Sequence, residues 1–245
     1  MHEQVQGVSG GEKSNSHGEI SADQILFETI KENLTNTKYL CINAPLQLPK
    51  CMRCRLKCPG FEKCKEPEIQ WMWKQHKKNR KQKPRAKIFT PYTQRACEIY
   101  IAQETEPTVY PLEALGANLA PLTARAYFLL RRLPSKLEVI EVHPRLTVLR
   151  VGQSLRVAKS HLQHYKNSLS GEESRLVFLQ TLIKHDIFIY QQDLQKLVEN
   201  PHCFDAFIAA LTGYLKFIKQ CEPIPRDFPI EDGWIEFPKM HPDLL

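Results

Sequence analysis

No apolar run in this chain of 245 residues approaches the length needed to span a bilayer. The first twenty residues lack the apolar stretch of a secretory signal, so we expect a cytoplasmic protein with no membrane partner. No internal repeat is visible, which sets aside solenoids and propellers. Acidic residues are missing from one place in particular. Between Lys74 and Lys87 eight Lys and Arg residues occur with no Asp or Glu among them. Those eight charges exceed the net charge of the whole chain, +7, so the basic character is one patch. Such a patch attracts polyanions through long-range attraction and counterion release, although charge runs of this kind also occur as solvated loops. Lys77, Lys78, Arg80 and Lys81 are its nucleic-acid-binding candidates, with Trp71 or Trp73 beside them to stack on bases or to pack in the core.

Hydrophobic residues make up 42% of the chain, enough for a packed core in a single domain over 1–245. Residues 1–19 are rich in Gly, Ser and polar side chains and read as a mobile N-terminus, with at most a short strand near Val5 to Val8. A helix opens at Ser21 or Asp23 and closes by Asn36. Tyr39 to Ile42 reads as a buried strand stopped by Pro45. Residues 50–91 break the pattern and read as a cysteine-rich, basic insertion, helical from Glu68 to Lys81. Helices are further expected over 111–133, in two pieces about Pro121, from a Ser170/Glu173 capping box to Ile183, over 191–198, and from Asn200-Pro201 to about Gln220. Leu137 to His143 and Trp234 to Phe237 complete the strands. Strands alternating with helices imply an α/β architecture.

Eight cysteines are present, and four of them, Cys51, Cys54, Cys58 and Cys64, fall within fourteen residues. A disulfide framework needs an oxidising compartment, and nothing indicates one. Four soft thiolates complete a tetrahedral Zn²⁺ shell or hold an iron–sulfur cluster. The spacing is not that of two separated Cys-x2-Cys pairs, so both readings stay open. We expect a closed, structural site that fixes the segment and displays its basic helix. Cys97 and Cys203 have no evident His partner for nucleophilic chemistry.

Glu141, near the end of a strand before His143-Pro144, and Asp205, in the first turn of an apolar helix, stand where an α/β protein could hold Mg²⁺ or Mn²⁺. Equally, Glu141 could be an edge charge and Asp205 a first-turn acid favoured by the helix dipole. The run Ile42-Asn43-Ala44-Pro45-Leu46 with Leu48-Pro49, then Arg95-x-Cys97-Glu98, Glu141-Val142-His143-Pro144, Tyr165-Lys166 with Gly171 and Arg175, Asp205 to Ala210, and Asp232-Gly233-Trp234-Ile235 resembles, in that order, the domain of unknown function 429. This is a family of predicted nucleases with a ribonuclease-H-like fold. The resemblance implies a ribonuclease-H-like mixed sheet flanked by helices and an acidic metal site built from Glu141 and Asp205, with Glu98 as a third carboxylate. Asn43 stands where the family has an aspartate, and a neutral amide is a poorer Mg²⁺ ligand. The family's leading strand, with its further aspartate, has no counterpart here. We therefore expect an N-terminally truncated sheet of few strands, from a chain begun at an internal methionine or a domain that has lost its leading hairpin. Three functions follow: a metal-dependent nuclease with a depleted site, a non-catalytic nucleic-acid-binding module stapled by its cysteines, or an iron–sulfur protein.

Overall fold

A computed structural model of the protein describes residues 21–82, 87–105 and 108–244. The chain divides into two units, residues 1–36 and 37–245. In the first, helix α1 (Ala22–Asn33) is capped by Ser21, whose hydroxyl accepts from the Gln24 amide, and it ends in a 3-10 turn over Leu34–Asn36. Residues 1–19, expected to be mobile, and the strand expected near Val5 lie outside the described residues.

The second unit begins with strand β1 (Tyr39–Ile42), followed by helices α2 (Lys50–Arg53), α3 (Pro67–Gln82), α4 (Ala96–Glu104) and α5 (Leu119–Leu130). Strand β2 (Glu138–Val142) leads into α6 (Pro144–Ser154), α7 (Lys159–His164), α8 (Gly171–Lys184), α9 (Gln191–Glu199) and α10 (Pro201–Phe217), and β3 (Ile235–Glu236) closes the sheet. The strands lie in chain order, β1-β2-β3. Both pairs are parallel, with Cys41 opposite Ile140 and Glu141 opposite Ile235. The mixed sheet expected from the sequence is thus corrected: among the described residues it is parallel throughout. The reason is connectivity, because each crossover runs through helices and returns the chain to the same end. The antiparallel contact is confined to an isolated bridge between Cys221 and Pro238.

The core lies among the helices beside this small sheet. Leu146, Val148 and Val151 of α6 meet Phe178, Leu179 and Leu182 of α8 and Phe204, Ile208 and Leu215 of α10. Ile69, Trp71 and Met72 of α3 join the same core, so the cysteine-rich segment is built into the main body rather than attached to it. Asn200 caps α10 as its Asn-Pro start requires, its side-chain oxygen accepting from His202 and Cys203 amides. In contrast, Ser170 makes no side-chain cap on α8. Helical spacing in the sequence suggests a core stripe of Leu176, Leu179 and Ile183 on α8, but the buried apolar residues are Phe178, Leu179 and Leu182, and Ile183 is exposed. Helix α5 starts at Leu119 with Pro121 in its first turn, where proline costs no hydrogen bond. Helices α6 and α7 were not foreseen. The His143-Pro144 start of α6 follows the same capping logic as Asn200-Pro201.

Candidate functional site

The carboxyl ends of parallel strands are where open α/β sheets leave a crevice. Here Asn43 after β1, Glu141 to His143 at the end of β2 and Ile235 of β3 line a cleft of about 400 Å³. Helix α4 brings Glu98 to it, and Arg95, Arg145 and Lys166 are its cations. Three of the four predicted catalytic residues, Asn43, Glu98 and Glu141, therefore share one cleft.

What holds the carboxylates there is Arg95. Its guanidinium is 1% exposed. It donates from Nη1 to Glu141 Oε2 (2.7 Å) and from Nη2 to Glu141 Oε1 (2.6 Å), a bidentate pair. Its Nε donates to Glu98 Oε1 (2.9 Å), and its backbone amide donates to Glu98 Oε2 (3.1 Å), which is the N3-to-cap half of a capping box. The Leu46 amide adds a third donor to Glu141 (2.9 Å). Burial pushes the Glu98 carboxyl up to about 7, and the charge and hydrogen bonds of Arg95 oppose the rise. Asp232, fully buried, sits behind this pair: it accepts from the Ala96 amide (2.5 Å) and from Arg53 Nη2 (2.9 Å). Burial raises its carboxyl too. Each of these oxygens already has a donor.

Asp205 is elsewhere. It lies just past the first turn of α10, not within it as the sequence suggests, and accepts from Lys166 Nζ (2.5 Å) and, at 3.4 Å, from the Tyr165 hydroxyl. Lys166 links it to the cleft, but Asp205 itself does not line it. Among the described residues no group of three or more His, Cys, Asp or Glu side chains is placed to hold a metal ion. His143 caps α6, its Nδ1 accepting from the Leu146 amide (3.3 Å). Burial pushes its imidazole down to about 4, and Lys166 and Arg145 add to the effect. At neutral pH the ring is uncharged with its proton on Nε2.

The basic run forms the outer face of α3. Lys83 and Arg85 lie outside the described residues. Lys74, Lys77, Lys78 and Lys81 line one groove of about 760 Å³. Lys74 pairs with Asp227 (2.6 Å) and Lys78 with Glu104 (2.6 Å). Among the described residues, Lys77, Arg80 and Lys81 are exposed and have no acidic partner. Trp71 is buried edge-on against Phe228, and Trp73 stacks on Phe61 and donates to the Phe61 carbonyl (3.0 Å). Both rings pack on neighbouring aromatic side chains, and both also line this groove.

Cys51 on α2, Cys54 at its end, Cys58 and Cys64 all line a further cavity, of about 340 Å³. All four are free thiols, and Cys58 is exposed. Burial pushes the Cys51 thiol up to about 11, and the other three thiols add to it. The chain reverses between the third and fourth at Gly60, whose φ of +88° suits glycine.

Sequence reasoning named the carboxylates but gave no role to the cations that hold them, Arg95 on Glu98 and Glu141 and Lys166 on Asp205, nor to the buried Asp232, though all three stand in the motifs quoted above. The spacing of Arg95 and Glu98 on one helical turn was the available signal for the first pair. A family model described as "Protein of unknown function (DUF429)" matches residues 26–229. No curated protein and no solved structure matches the chain.

Proposed function

The chain belongs to the DUF429 family, and on that premise we propose that it is a nucleic-acid-binding protein whose helix α3 holds the phosphate backbone. The observation that carries this reading is the groove in which α3 sets four lysines against only two paired acids. Lys77 and Lys81, four residues apart, stand on one side of the helix, with Arg80 beside them. A polyanion that neutralises these side chains releases its counterions, and the gain is independent of sequence. The three parallel strands joined through helices support a ribonuclease-H-like fold as part of the same reading. The free thiols suit a cytoplasmic setting. No described helix is long and apolar enough to cross a membrane.

A second reading is metal-dependent phosphodiester hydrolysis, favoured because Asn43, Glu98 and Glu141 meet at the strand ends. A carboxylate that accepts a bidentate guanidinium has few lone pairs left for Mg²⁺ or Mn²⁺. This reading therefore requires Arg95 to release Glu141 when the metal enters.

Fluorescence anisotropy with labelled single-stranded DNA and RNA tests the first reading. Three phosphate contacts predict a log–log salt slope of about −2, since single strands contribute roughly 0.7 per contact. The Lys77→Glu/Lys81→Glu variant should bind roughly tenfold more weakly or worse at low salt and show a flatter slope. Absence of binding at low salt rejects it. Products formed with Mn²⁺ by the wild type and lost in Glu141→Gln would establish the second.

A further inference from the structure

We propose that the α3 groove receives an unpaired nucleobase, whose edge hydrogen-bonds to Trp71 and Gln75 on the groove floor. The inference rests on the nucleic-acid-binding reading above and names its substrate class, a single strand. Both residues line the groove, and both are more than nine-tenths buried, with exposures of 6% and 8%. Trp71 Nε1 and Gln75 Oε1 nevertheless have no hydrogen-bond partner among the described residues. A buried polar atom left unpaired is costly, and folded proteins leave few of them. Here two such atoms belong to residues four apart on α3, which are neighbours on one helical face. One is a donor and the other an acceptor. Their complement is a planar group that presents an acceptor beside a donor, and the Watson–Crick edge of every base does so. In a duplex that edge is already paired, which selects a single strand.

The rim of the groove suits the sugar–phosphate chain of the same ligand. Trp71, Lys74, Gln75 and Lys78 fall at helical spacing on one face of α3, and helical side chains lean towards the preceding turn. Lys74 therefore extends over the turn of Trp71, and Lys78 over that of Gln75. Lys74 ends on Asp227 and Lys78 on Glu104, each at 2.6 Å. The two lysine side chains are 68% and 55% exposed, so solvent screens these pairs and they hold weakly. Phosphates on either side of the base compete with the two carboxylates for the same ammonium groups. Once they draw Lys74 and Lys78 outward, the unpaired atoms beneath become accessible to the base. The groove volume of about 760 Å³ accommodates a nucleotide.

The test is fluorescence anisotropy of the full chain with labelled single-stranded DNA and with an abasic strand of the same length and phosphate count. Two hydrogen bonds to otherwise unpaired groups should make the base-bearing strand bind roughly tenfold more tightly. Trp71→Phe keeps an aromatic ring against Phe228 and loses the N–H. Gln75→Met keeps the length of the side chain and loses the amide. Each should cut the preference to about threefold, with abasic-strand affinity and salt slope unchanged. Gln75→Met should also unfold at no lower a urea concentration than the wild type, because it removes an unpaired buried acceptor. Equal affinity of the wild type for the two strands overturns the proposal, and so do variants that weaken both strands alike. A wild type that binds neither strand rejects the α3 groove itself as the binding surface, and its floor with it.

Discussion

Glu98 is 4% exposed, and burial lifts its carboxyl from 4.5 to about 7 against the pull of Arg95. Between those two values the folded chain keeps a proton that the unfolded chain has lost. The folded state then binds more protons, so stability falls as pH rises through this window. Above it both states are ionised and the loss is complete, about 3 kcal/mol from the size of the shift. Glu98→Gln cannot ionise. Urea midpoints measured from pH 4.5 to pH 7.5 should therefore decline more steeply in the wild type than in the variant. Parallel profiles would show that Arg95 cancels the burial of Glu98. The same pair bears on catalysis, because a carboxyl that is partly protonated and held by a guanidinium is a poor ligand for a divalent ion.

At the scale of elements, the close approach of α10 to β1 depends on Gly213. A Cβ built there would meet Cys41 Sγ at 2.5 Å. Alanine inside a helix is ordinarily favoured over glycine by about 1 kcal/mol. Overpacking costs about 1–3 kcal/mol, so Gly213→Ala should instead destabilise the fold. Adding Cys41→Ala removes the obstructing sulfur and should recover much of the loss. A double-mutant cycle by urea denaturation should give a coupling of about 1 kcal/mol or more, and simple additivity would reject the contact. Helix α3 shows how one element divides its duties: Ile69 and Met72 enter the core while Lys77 and Lys81 face solvent. Reversing charge on the outer face should weaken nucleic-acid binding without changing the unfolding free energy from urea denaturation by more than about 0.5 kcal/mol.

Across the whole molecule, Asp232 joins segments that are far apart in sequence. Its two oxygens accept from Arg53 in α2, 179 residues away, and from the first amide of α4, 136 residues away. It thereby connects the turn before β3 to the cysteine-rich segment and to the helix that carries Arg95 and Glu98. Asp232→Ala removes both acceptor oxygens and leaves two donors unpaired, with a cost of about 1–3 kcal/mol for each buried donor. Hydrogen exchange should then rise together around Arg53 and Ala96, since both lose the same partner. A rise at only one of them would show that the two segments are held independently.

The sequence alone determined the local features of this protein. Asn200-Pro201 set the start of α10, the alternating run at Leu137 to His143 placed β2, and the clustered thiols and lysines marked the two chemical segments. Each depends on neighbours a few residues apart, where spacing fixes geometry. It also brought Glu141, Glu98 and Asn43 forward together, and they do share a cleft. The tertiary structure decided what those side chains are bound to. Arg95 reaches Glu141 across 46 residues and the Leu46 amide reaches it across 95. Packing brings such partners together, and no periodicity in the chain encodes it. The buried stripe of α8 differed for the same reason, since α7, α9 and Phe204 of α10 determine which of its side chains are covered. The cysteine spacing permitted zinc or iron–sulfur alike. The fold places all four thiols along one cavity.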